Sequence, residues 1–341
     1  MASKSMTGWL PVEIGFDPNP AVVSEALVRW MEFGSRSLTE PFFNHTVDKL
    51  REATPPAREM DTDLETMLRV SSRVEPIRPA GFIFHISHCG STLIANALKT
   101  SAQAVVVSES RPVHAVLRTR TERVSPYLAE RWESTRGKLL QSLFSLFAHY
   151  RTGEAEPLVI KFASLDILGM RWMRACWPEV PCVVVIRDPV EVMVTTLQGG
   201  GWMSAKEHPE HAMELFGWTD LPRPVDAMIP EEFCARVLGS FCTAALTAAG
   251  EVSNTKCMVV DYLDLSPEKM REIAAFFGIE LAGNDDGVES VFQTYAKDPR
   301  KAIQFRDDRE LKQKLAGVLV RSAANQFAAD SYAQLRKHRR R

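Results

Sequence analysis

What this chain lacks narrows its function first. Its six cysteines, Cys89, Cys176, Cys182, Cys234, Cys242 and Cys257, show no C-x-x-C spacing and no paired framework. That argues against a dithiol redox motif, a zinc ribbon or a disulfide-stapled domain, and the cysteines read as reduced thiols, most of them core residues. No signal peptide precedes the globular sequence and no apolar run approaches membrane-spanning length, so the expectation is a cytoplasmic protein with no membrane partner. A charge of one sign is missing too. The 41 Lys plus Arg and 43 Asp plus Glu leave a net charge of −2. This balance argues against broad attraction for nucleic acid or membrane, and any anion site must arise from local placement. No internal repeat or low-complexity tract appears. What remains, 45% hydrophobic and 25% charged over 341 residues, suits one large α/β domain with additions, or two domains.

The stretch Gly81–Leu98 organises the rest. Phe82-Ile83-Phe84-His85-Ile86 is apolar and β-branched or aromatic at nearly every position, which predicts a short buried strand. A polar turn, Ser87-His88-Cys89-Gly90-Ser91-Thr92, leads into a helix with Leu93, Ile94, Ala97 and Leu98 on one face. Backbone N–H groups at a helix start are unpaired and the macrodipole is positive there, so strand, turn and helix together make an anion site. Gly90 permits close approach, and Ser91 and Thr92 can donate to phosphate oxygens. The turn does not spell G-x-x-x-x-G-K-[ST], since no Lys follows Gly90 and no Gly lies five residues before it.

Around this stretch the chain alternates strand and helix. Residues 104–107, 157–161, 183–186 and 258–260 read as further buried strands, ending at Glu109, Lys161, Arg187 and Asp261. A long helix between the first two of these carries Leu139, Leu140, Leu143, Phe144, Phe147 and Ala148 on its apolar face. This pattern predicts a parallel β-sheet flanked by helices, with side chains at the carboxyl ends of strands facing the ligand. Residues 81–341 form the α/β domain in this reading, and residues 1–80 an N-terminal helical extension. Helical spacing over 21–33 (Val22, Ala26, Leu27, Trp30, Met31), a helix after Pro41 with Phe43, Val47 and Leu50, and a third over 61–70 compose that extension.

Two motifs carry a resemblance. His88-Cys89-Gly90-Ser91-Thr92 resembles the 5′-phosphosulfate loop of sulfotransferases, with Cys89 where Ser is usual and His88 where Lys or Arg is usual. Val183–Thr195, VVVIRDPVEVMVT, resembles that family's 3′-phosphate motif, Arg187 and Thr195 holding the Arg and hydroxyl positions. A guanidinium at a strand end can grip a phosphate bidentately, and Pro189 starts the helix that carries Thr195. The stretch from Ile160-Lys161 to Trp177-Pro178-Glu179-Val180, and Val260-Asp261-Tyr262-Leu263-Asp264-Leu265 with the following helix, are similar to further segments of its bacterial members.

The resemblance implies a P-loop-like sulfotransferase fold and transfer of a sulfuryl group from 3′-phosphoadenosine-5′-phosphosulfate (PAPS) to a hydroxyl or amine of a small-molecule acceptor. It leaves 3′,5′-adenosine diphosphate (PAP) and needs no metal. It further implies that a basic C-terminal segment holds the 3′-phosphate, for which Lys297, Arg300 and Lys301 stand in the right region. His88, with a reference pKa of about 6.5, either donates to the phosphosulfate or only orients the loop while Lys161 supplies the cation. Glu109 is the candidate base for the acceptor's proton, with His114 as runner-up. Two other functions stay open: a P-loop kinase-like phosphotransferase, and a non-catalytic nucleotide-binding protein of the same fold.

Overall fold

The first elements of the chain include strands where the sequence reading expects helices. The computed structural model describes residues 6–16, 26–119, 131–199, 201–250, 256–281, 286–293 and 308–339. β1 (Trp9–Phe16) pairs antiparallel with β2 (Ala26–Glu32), and β2 pairs antiparallel with β3 (Glu59–Asp63), in the order β1-β2-β3. The described part of the expected 21–33 helix is therefore a strand. Val28 and Trp30 are fully buried while Leu27 is exposed. Those positions fit a period of two as well as a helical one, and cross-strand pairing decides between them. β1 escapes notice because Pro11 argues against a strand. The register shifts between Pro11 and Glu13, the kind of irregularity that accepts a residue without an N–H. α1 (Phe43–Arg51) forms as expected and buries Phe43, Val47 and Leu50. α2 (Leu64–Ser71) starts only after β3, where the Asp63 carboxylate accepts the Thr66 N–H at 2.8 Å. The extension is thus mixed, not purely helical.

The expected parallel sheet follows. Its strands are β4 (Gly81–His85), β5 (Val105–Ser108), β6 (Leu158–Lys161), β7 (Cys182–Ile186) and β8 (Cys257–Asp261), in the order β5-β6-β4-β7-β8. Every residue of these five strands is buried, which explains why they read as continuous apolar runs. The register pairs Ser108 with Lys161 and Ile186 with Asp261, so the carboxyl ends of the two strands align within each pair. Among the helices between and after the strands are α3 (Ser91–Leu98), α4 (Arg111–Arg118), α5 (Trp132–His149), α6 (Met170–Cys176), α7 (Pro189–Thr196), α8 (Pro209–Phe216), α9 (Pro230–Gly250), α10 (Pro267–Phe276) and α11 (Asp286–Gln293). Three more close the described chain: α12 (Arg309–Leu315), α13 (Val318–Phe327) and α14 (Ala329–Lys337).

The chain divides into two compact units. The first comprises Met1–Phe82, Thr92–Ala163 and Met270–Ala302; the second comprises Ile83–Ser91, Ser164–Lys269 and Ile303–Arg341. In the first, α5 buries the predicted apolar face, and Phe82 meets the rings of Phe144 and Phe162 at centroid distances of 5.9 and 5.3 Å. In the second, α9 is the central helix, with Phe233, Val237, Leu238 and Phe241 fully buried. A Cβ on Gly239 would lie 2.1 Å from the Phe327 carbonyl oxygen, so glycine is what lets α9 approach the end of α13. α9 is also long and apolar enough to cross a membrane by length and composition. This corrects the expectation that no run approaches that length; a core helix and a membrane helix share the same composition, and burial of these side chains accounts for it here.

Candidate functional site

Three described residues other than glycine adopt a left-handed backbone: Ser87 (φ 81°), His88 (φ 46°) and Glu109 (φ 52°). Such conformations cost about 1–3 kcal/mol each and persist where the surroundings over-determine them. All three lie in stretches that the sequence singles out.

In the second unit the turn after β4 is held from several sides. The Ser87 N–H donates to His85 Nδ1 at 3.2 Å, and the His88 carbonyl accepts from Arg187 Nη1 at 3.2 Å. Gly90 has φ +85°, and a Cβ there would lie 2.3 Å from Leu265 Cδ1 and 3.3 Å from Tyr262 Cδ2. The left-handed conformation therefore favours glycine, and a Cβ would in addition push the Leu265 side chain aside. A turn passing through left-handed residues into a helix start is the backbone geometry that forms anion-binding nests. Cys89 and Ser91 are buried in it. Thr92, also buried, belongs to the first unit and continues α3 from Ser91.

Arg187 follows β7 and is only 4% exposed. Its Nε donates to Glu191 Oε2 at 2.8 Å, its Nη2 to Asp308 Oδ1 at 2.5 Å, and its guanidinium lies 3.9 Å from the Tyr262 ring centroid. Burial alone would lower the pKa of this guanidinium, but the hydrogen bonds to Asp308 and Glu191 outweigh it and hold the group above its ordinary value. For Asp308 the balance runs the other way: burial pushes the carboxyl up, and the bonds from Arg187 and Lys312 bring it below the usual range. Asp188 caps α7 by accepting the Val190 N–H at 2.8 Å, and burial raises its carboxyl. Thr195 is half-buried on the last turn of α7 and takes no part in the Arg187 bonds described here.

The first unit holds a different pair. Lys161, at the end of β6, has a fully buried side chain and donates from Nζ to Glu109 Oε1, while the Glu109 side chain is 28% exposed. The Glu109 N–H donates to the Lys161 carbonyl at 2.7 Å, so the pair is closed through backbone and side chain together. Lys161 Nζ also lies 5.4 Å from the Phe42 ring centroid. Next to them, the buried Ser108 Oγ makes no hydrogen bond among the described residues. Lys99, just after α3, donates from Nζ to the Glu40 carbonyl and, at 3.4 Å, to that of Pro41. Burial, and after it the Lys161 charge, push its amine down to about 7. His114 is half-buried on α4. Lys297, Arg300 and Lys301 lie outside the described residues.

The structure thus joins Glu109 to Lys161, and Arg187 to the His88 carbonyl. Sequence reasoning missed three participants. Glu191 stands four residues after Arg187 on a helix, the spacing of a helical ion pair, and was legible. Asp308 and Lys99 reach their partners through the fold and leave no local signal. Among the described residues no group of three or more His, Cys, Asp or Glu could hold a metal ion.

No family model matches the chain, and no curated protein does. Solved structures similar to it include a sulfotransferase from Alicyclobacillus acidocaldarius, 13% identical at a TM-score of 0.43, covering 78% of this chain and 98% of that one. The sulfotransferase domain from the curacin biosynthetic pathway is 16% identical at a TM-score of 0.41, covering 74% of this chain and 98% of that one. The mouse sulfotransferase SULT7A1 complexed with PAP is 11% identical at a TM-score of 0.36, covering 82% of this chain and 96% of that one. These chains are what this one is similar to; the roles of its residues rest on its own geometry.

Proposed function

We propose that the chain is a sulfotransferase that takes a sulfuryl group from PAPS and passes it to a hydroxyl or amine of a small molecule. The observation that carries this reading is the second unit's pairing of a strained, glycine-dependent turn with a strand-end arginine that bonds to the turn's own backbone. A nucleotide phosphorylated at both its 5′ and 3′ positions offers one anion for each. The turn N–H groups and the Ser91 hydroxyl would bind the 5′-side phosphate, and Arg187 the 3′-phosphate.

PAPS, when bound, supplies an activated sulfuryl group and departs as PAP. The S–O bond to the phosphate breaks as the bond from sulfur to the acceptor oxygen or nitrogen forms, and the acceptor loses one proton. Glu109 is the base we assign to that proton. Its partner Lys161 holds the carboxylate in place through the side-chain bond, and the Glu109 N–H donates to the Lys161 carbonyl. The turn donors would stabilise charge developing on the leaving oxygen. His88 brings a second donor to the turn when protonated.

A non-catalytic nucleotide-binding role is the second reading, favoured by His88 at the position where the family has Lys or Arg. Calorimetry without metal tests the first step of both. The expected result is binding of PAP that weakens at least about 100-fold in Arg187→Ala, with 5′-AMP bound weakly by both proteins. Binding of ATP only with Mg²⁺, and none of PAP, would overturn the proposal in favour of a kinase-like site. Release of PAP from PAPS in the presence of an acceptor then separates enzyme from binding protein.

A further inference from the structure

Each nitrogen of the Arg187 guanidinium already donates one hydrogen bond, and the way it is engaged has a direction. Both of its carboxylates are held by one helix, α12. Asp308 begins that helix and is itself bound by Lys312 Nζ at 2.8 Å, while Gln313 Nε2 donates to Glu191 Oε1 at 3.2 Å. α12 buries none of its residues, and Leu311 and Leu315 are 58% and 60% exposed. Polar contacts therefore do most of the work of holding it. The two carboxylates differ. Glu191 is buried and fixed on α7 beside Arg187, whereas the Asp308 side chain is 40% exposed and sits on the α12 side. Of the two, Asp308 is the one that can leave.

We infer that Asp308 is an autoinhibitory counter-ion: it occupies Arg187 until a phosphate displaces it. The inference rests on the proposed role of Arg187 as the 3′-phosphate site. The physical argument is an exchange. Replacing a carboxylate of charge −1 by a phosphodiester of charge −1 gains little at the guanidinium. A terminal monoester carries about −1.5 to −2 at pH 7 and offers three acceptor oxygens, so it gains charge and a bidentate grip. Displacing Asp308 costs every phosphate the same, so Asp308 lowers the affinity of the site for all of them, and the monoester, which gains most at the guanidinium, offsets that cost best. Glu191 stays in place and keeps the guanidinium oriented during the exchange.

Calorimetry with PAP and with its 3′-methyl phosphodiester, on the wild type, Asp308→Asn and Asp308→Ala, tests this. Both variants are expected to bind PAP and the diester about 10-fold more tightly than the wild type does, with the preference for the monoester unchanged. If the wild type binds PAP and neither variant binds it more tightly, the inference is overturned while the role of Arg187 stands. If none of the three proteins binds PAP, the reading of the site falls and the inference with it. Amide hydrogen exchange gives a second readout: PAP should speed exchange over residues 309–315 in the wild type, and unchanged or slower exchange there contradicts displacement.

Discussion

The molecule keeps two cations at strand ends, and it treats them in opposite ways. Lys161 in the first unit is a point charge with a fully buried side chain, closed against Glu109. Arg187 in the second unit is a planar fork shared between two carboxylates, a backbone carbonyl and an aromatic face. Guanidinium geometry matches phosphate, and its charge is permanent; an ammonium is compact and its charge answers to burial and neighbours. Under the proposed function the Arg187 cluster recognises a phosphate, and the Lys161 cluster holds the Glu109 carboxylate in place. The same contrast extends to the neighbours. Lys99, near Lys161, has its amine pushed down to about 7, whereas the bonds around Arg187 push its guanidinium further up.

Substitutions can break that contrast. The largest effect is expected for Arg187→Ala, with PAP binding lost by at least about 100-fold, while Glu109→Gln leaves binding within about 2-fold; calorimetry on the two variants reads both. Equal losses would erase the distinction between recognition and chemistry. Glu109→Ala removes the carboxylate from a buried ammonium and should lower stability by about 2–3 kcal/mol in urea denaturation, more than Glu109→Gln does. Gly90→Ala should cost about 1–2 kcal/mol, because the added Cβ meets Leu265 at 2.3 Å on a left-handed backbone.

The smaller effects sharpen the first unit. Burial pushes the Lys99 amine down to about 7, below its ordinary value of 10.5. Between those values the unfolded chain binds more protons, so this group makes stability rise as pH goes from about 7 to 10; its penalty is fully present below that window. Urea midpoints across that range should climb in the wild type and climb less in Lys99→Met. Ser108→Ala removes a buried hydroxyl that makes no hydrogen bond among the described residues, and should stabilise by up to about 1 kcal/mol. A loss of more than that amount would mean the hydroxyl has a structural task.

Much of the sheet was legible, for a physical reason. A parallel strand buried on both faces must be apolar throughout, so β4 to β8 announce themselves as runs ending in a polar residue. The strands of the three-stranded sheet carry polar residues such as Arg29 and Glu13, which pair with each other at 3.4 Å across β1 and β2. Nothing within residues 21–33 distinguishes that cross-strand pairing from a helix face. The site divides similarly. Gly90 and Arg187 follow from local chemistry, a turn that needs glycine and a cation at a strand end. Asp308 lies 121 residues from Arg187, and only the fold brings them together.

The central claim is that this chain binds one nucleotide through two separate phosphate sites, and phosphorus NMR of PAP tests it directly. The account predicts that both the 5′ and the 3′ resonances shift on binding the wild type. In Arg187→Ala, at concentrations high enough to retain binding, the 3′ resonance should return to its free value while the 5′ resonance stays displaced. A 3′ resonance that never moves in the wild type, or that moves equally in Arg187→Ala, would contradict the assignment of Arg187.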